Sequence, residues 1–209
     1  MTTEMTISRS LAELKLLDKR INRTINGASF GGLTVGKKVS AGFNNVEEIE
    51  NRAKSDLQSI QDLIKRRNAI KSAIVVSNAT TEVVIAGVKM SVAEAIERKS
   101  SIVYEEGLLS KLKNTYTGLT SQVDQVNAEM QQRLDRHLET LFGKEGKITA
   151  QANDDIVLAF KKDNEAKLID SIDLKKQIDK LTESIEDFEN EVDFALNESN
   201  VLTKITLED

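Results

Sequence analysis

Gly31-Gly32-Leu33-Thr34-Val35-Gly36-Lys37-Lys38 departs at one residue from a nucleotide-phosphate loop. That loop requires Gly, four residues, Gly-Lys and then Ser or Thr, because amides and lysine cradle the phosphates while the hydroxyl holds magnesium. Lys38 stands where the hydroxyl belongs, and the residues before the loop read as helix rather than strand, so nucleotide hydrolysis is disfavoured. Two readings stay open. The segment is a plain surface loop, or it is a flexible grip in which Gly36, Lys37 and Lys38 hold a phosphorylated small molecule or nucleotide signal without cleaving it.

Other reactive residues are sparse. His137 is the single histidine, so every histidine-based metal site or Ser-His-Asp arrangement would depend on it. It falls on the apolar seam of a helix, where a packing histidine is the plainer reading and acid-sensitive assembly the sharper one. Glu183, Asp187 and Glu191 recur every four residues, which places carboxylates on one helix face, but no oxygen-rich loop accompanies them for a hard cation. Arg66-Arg67 and Lys111 with Lys113 read as solvated charges. With no cysteine, disulfides, thiolate metal sites and nucleophilic thiols are excluded. Neither a catalytic residue nor a cofactor or metal site is expected.

The elements that would position these residues are helices. Leu109, Leu112, Tyr116, Leu119, Val123, Val126 and Met130 alternate steps of three and four, as do Leu174, Ile178, Leu181, Ile185, Phe188 and Val192. Such seams pack lengthwise on other helices, between copies or within one chain. No proline interrupts them. Helices are predicted at about 7–25, 45–76, 92–142, 150–161 and 165–196, with a glycine-rich loop at 27–42 that holds five of the ten glycines. Beyond Met130 the spacing moves to Leu134, Leu138 and Leu141, a stutter that locally unwinds a supercoil.

Residues 82–90 read as a β-hairpin turning at Ala86-Gly87, and Ser91 with Glu94 has the spacing of a capping box opening the next helix. Ser77-Asn78 followed by Thr81 and a β-branched run is echoed by Ser199-Asn200, Thr203 and residues 204–207. The echo suggests that the two strand segments lie together. The expected fold is mainly α: long antiparallel helical hairpins in a coiled-coil-like bundle, with a small antiparallel sheet of hairpin 82–90 plus strand 201–207 at one end. A single elongated domain over 1–209 is expected.

Composition narrows the classes. Only 4% of residues are aromatic and 30% are charged, which suits narrow apolar stripes on solvated helices. A net charge of -5 argues against a dedicated nucleic-acid binder, and the lack of tryptophan leaves few rings to stack bases. The N-terminus has no basic region followed by an apolar core, so a non-secreted protein is expected. Thr182 to Asp209 holds nine acidic residues against Lys204 alone, a solvated face or a docking face for a basic partner.

Three segments resemble a known family: Ile7-Ser8-Arg9-Ser10-Leu11-Ala12-Glu13-Leu14-Lys15, Ser91-Val92-Ala93-Glu94-Ala95-Ile96-Glu97-Arg98-Lys99, and Glu191-Val192-Asp193-Phe194-Ala195-Leu196 running into Ser199-Asn200. They are similar to uncharacterised helical proteins encoded by bacteriophages and prophages, and more faintly to septicolysin-like bacterial proteins. The resemblance implies a helical hairpin fold and a phage or prophage origin, in an infected or lysogenic bacterium's cytoplasm or in the virion. It supplies no catalytic residues. The expected function is a non-enzymatic interaction module that forms homo-oligomers and binds a protein partner, such as a host defence or regulatory factor. A virion scaffold or minor structural protein is the first alternative, and sequestration of a phosphorylated signal is the second.

Overall fold

The computed structural model of the chain describes residues 2–39, 42–143 and 150–208. These group into two compact units, residues 1–100 with 187–209 and residues 101–186. The secondary structure is mainly α, with three antiparallel sheets of two strands each among the described residues.

In the first unit, β1 (Thr2–Thr6) leads directly into α1 (Ile7–Gly27). Thr6 caps α1, its Oγ1 accepting from the Arg9 amide at 3.3 Å. A two-residue hairpin of β2 (Thr34–Val35) and β3 (Lys38–Val39) follows, and then α2 (Val46–Thr80). Asn45 opens α2 by accepting from the Glu48 amide at 2.8 Å. Hairpin β4 (Glu82–Ile85) and β5 (Val88–Ser91) turns through Ala86 and Gly87, both at positive φ. Then α3 (Val92–Phe142) begins, with Ser91 and Glu94 exchanging the bonds of a capping box.

The core of this unit joins Leu14, Leu17 and Ile21 of α1 to Ile70 and Ile74 of α2, covered by Met5 of β1 and by Ile205 and Leu207 of β6 (Lys204–Glu208). Ser10 is fully buried where Leu11 stays 37% exposed. Its small side chain is satisfied by donating from Oγ to the Thr6 carbonyl at 2.8 Å, so a hydroxyl sits in the core at little cost.

Two expectations are corrected. The predicted three-stranded sheet of 82–90 with 201–207 does not form: β4 pairs only with β5, and β6 pairs with β1. The Ile7 amide donates to the Thr203 carbonyl at 3.0 Å, and the pairing places Ile205 and Leu207 over the α1 and α2 core. Residues 201 and 202 remain helical, so the strand begins at Lys204.

The helix predicted from Glu165 begins instead at Leu174, as α5 (Leu174–Leu202). Asp170 stops it from starting earlier, because its carboxylate accepts from the Leu174 amide at 2.8 Å and from the Ile172 amide at 3.3 Å. Asp173 stands in the left-handed region at φ 56°.

The second unit contains most of α3, then α4 (Ala150–Asn164), the turn at Asp170 and the first turns of α5. Asn127 of α3 and Ala166 bond reciprocally: Asn127 Nδ2 donates to the Ala166 carbonyl at 3.0 Å, and the Ala166 amide donates to Asn127 Oδ1 at 2.8 Å. Gly107 and Gly118 sit inside continuous helix with open space around them. Residues 144–149, between α3 and α4, and Ser40 and Ala41 of the glycine-rich segment, lie outside the described residues.

Candidate functional site

The seam residues divide by depth. On α3, Met130 and Leu134 are buried, Leu109, Leu112, Tyr116, Leu119 and Val123 are half-buried, and Val126 is exposed. On α5, Leu174, Ile178 and Ile185 are buried in the second unit and Leu181 is half-buried. Phe188 and Val192 are buried in the first unit. The stripes therefore close fully in some turns and stay partly open in others.

The opening is a groove of about 500 Å³ in the second unit. Leu108, Leu112, Ile172 and Leu181 give it apolar walls, while Gln177, Lys180 and Ser184 supply polar atoms. Of the predicted seam, the groove thus brings together Leu112 and Leu181. Leu108 and Ile172, both more than half exposed, fall outside the three-four pattern. Leu108 had a sequence signal in its four-residue step to Leu112; Ile172 had none, since it reaches the groove from the Asp170 turn. The groove has apolar walls and offers one ammonium and two neutral polar groups.

The glycine-rich segment is arranged differently. Gly36 takes φ 63° in the turn of the β2–β3 hairpin, so Lys37 lies in that turn and Lys38 opens β3, neither at a helix N-terminus, and both are exposed. A second groove of about 480 Å³ lies beside this segment, walled by Phe30, Leu33, Val46 and Ile49 with Glu50 and Lys54. Neither Lys37 nor Lys38 lines it.

His137 is exposed and its ring stacks on Phe160 of α4 at 5.6 Å between centroids. The condition for acid-sensitive assembly, a histidine buried between helices, is absent at this position. Glu183, Asp187 and Glu191 are exposed, and Glu191 has a structural bond, accepting from the Ala86 amide at 2.6 Å. Among the described residues, no three metal-ligating side chains are grouped to hold an ion.

Arg66 and Arg67, read from sequence as solvated charges, instead tie α2 to α1. Arg66 Nε lies 3.0 Å from Glu13 Oε1 and Arg67 Nε 2.6 Å from Asp18 Oδ1. Also in the first unit, Arg98 of α3 lays its guanidinium 4.4 Å from the ring centre of Phe188, and Lys99 pairs with Asp193. The Glu94 carboxyl is held below its usual range by the Ser91 amide and hydroxyl. It belongs to a helix cap and not to a reactive centre.

Among the described residues, no helix is long and apolar enough to cross a membrane. Comparison with protein-family models, curated proteins and solved structures finds no match.

Proposed function

We propose that the chain is a non-enzymatic interaction module that docks an apolar helix of a protein partner, itself or another, in the groove of the second unit. The observation that carries this reading is the contrast within the second unit: Met130 and Leu134 of α3 are shielded, while Leu108 and Leu112 of α3 and Leu181 of α5 wall an open apolar channel. An amphipathic helix with apolar residues at three-four spacing fits such a channel. The acidic residues on α5, among them Glu183, Glu186 and Glu189, favour a partner with a basic rim, because opposite charge speeds encounter and disfavours wrong partners. The resemblance to phage-encoded helical proteins makes a host defence or regulatory factor the favoured partner class and a virion component the alternative.

Two substitutions separate docking from folding. Leu108→Glu places a charge on an exposed wall and leaves stability within about 0.5 kcal/mol, yet abolishes association. Leu134→Ala, at a buried site, lowers stability by about 2 to 5 kcal/mol. Light scattering of the parent and of Leu108→Glu, with capture from bacterial lysate set against mass spectrometry of virions, reads the outcome. A parent that is monomeric and captures nothing overturns the proposal, and so does unchanged association in Leu108→Glu.

A further inference from the structure

We propose that the chain is two copies of one strand-helix-helix-strand repeat, fused in tandem, each copy completing the other by exchanged strands. The first copy is β1, α1, α2 and β4; the second is β5, α3, α5 and β6. The closing strand of each pairs antiparallel with the opening strand of the other, β4 with β5 and β6 with β1. Strand exchange between related units is a known route to paired architectures, here with both units on one chain.

The correspondence holds at the level of atoms. A shift of 85 residues carries Thr6 onto Ser91, and a shift of 122 carries Thr81 onto Thr203. The same two shifts carry the strand partners Val83 and Met90 onto Ile205 and Met5, so the registers are identical. At the end of α2 the Thr81 amide donates to the Ser77 carbonyl at 2.8 Å, and at the end of α5 the Thr203 amide donates to the Ser199 carbonyl at 2.8 Å. The Val92 amide then donates to the Thr81 carbonyl at 2.9 Å, as the Ile7 amide does to Thr203 at 3.0 Å. Burial follows the same shifts: Ile7 and Val92 are each 2% exposed, Ser10 and Ala95 each 0%.

Where the copies differ, contacts have changed in matched pairs. The positions of the Glu13–Arg66 ion pair in the first copy hold Arg98 and Phe188 in the second, where the guanidinium stacks on the ring. The cross-strand pair Glu82–Lys89, at 2.6 Å, has its counterpart in Lys204–Glu4, at 3.1 Å, with the signs reversed. Reversal distinguishes the copies. Were β4 to close on β1 of its own copy, Glu82 would face Glu4, and β6 on β5 would set Lys204 against Lys89, which like charges across strands oppose.

If the repeats are equivalent, the Ala86-Gly87 turn and the Glu208-to-Thr2 edge of the other strand pair are interchangeable as chain breaks. The test is a circular permutant of the full chain, with Glu208 joined to Thr2 through Ala-Gly and the chain opened between Ala86 and Gly87. The expected permutant keeps the parent's circular-dichroism spectrum and oligomeric mass, with a thermal midpoint within a few degrees. A permutant that does not fold overturns the equivalence. The cysteine-free parent gives a second reading through two matched cysteine pairs, Glu4→Cys with Thr206→Cys and Val84→Cys with Lys89→Cys. Both are expected to oxidise within one chain; a first pair that stays reduced, or that links only separate chains, also overturns the proposal.

Discussion

Thr6 and Ser91 hold the first turns of α1 and α3 by the same device, a hydroxyl accepting from the amide three residues on, at 3.3 and 3.1 Å. Replacing either with alanine leaves that amide unpaired and lowers stability by about 1 kcal/mol, measured as a shift of the urea midpoint at constant slope. Only the Ser91 cap depends on acid. Glu94 returns a carboxylate to the Ser91 amide at 2.7 Å and hydroxyl at 2.9 Å, and these bonds hold its folded-state pKa below the unfolded value. Its contribution is therefore complete above the unfolded pKa and is lost as pH falls through the lowered one. At the matching place in α1 stands Arg9, which has no carboxylate to return to the cap. Between about pH 7 and about pH 3, Glu94→Gln is expected to flatten the acid limb of the stability profile, whereas Arg9→Gln does not.

At the scale of elements, what can be read from sequence is what is decided locally. The box at Ser91 and Glu94 and the turn at Ala86-Gly87 each act within four residues, and each appears where its pattern predicts. Strand β1 was not legible, because Thr2-Thr3-Glu4-Met5-Thr6 has little apolar pattern of its own and becomes a strand only through β6. The Ser-Asn-Thr echo is legible as a repeat of the same helix exit, but it does not imply adjacency. Equivalence in two copies produces the same echo without contact between the strands. In the groove, Leu112 and Leu181 followed from the seam, whereas Ile172 is placed by Asp170, whose carboxylate bonds fix the start of α5. Asp170→Ala is expected to fray that first turn at a cost of about 1 kcal/mol, seen as faster hydrogen exchange at Leu174 and unchanged exchange beyond Ile178.

For the whole molecule, the two strand pairs form a natural experiment in folding order. Val83 and Ile205 occupy matched positions with similar burial, but β4 meets β5 across a two-residue turn, while β6 meets β1 across most of the chain. Closing the longer loop costs more entropy before its contacts contribute, so the hairpin is expected to form first and the β1–β6 pair last. Val83→Ala should then slow folding, because its contacts are already made at the barrier. Ile205→Ala should leave folding nearly unchanged and speed unfolding, by about thirtyfold for a loss of about 2 kcal/mol. Pulse-labelled hydrogen exchange during refolding separates the two, with protection expected at β4 and β5 before β1 and β6. Simultaneous protection of both pairs would mean that α1 and α2 dock first and bring Met5 and Ile205 together, making helix packing, and not loop length, the step that sets the order.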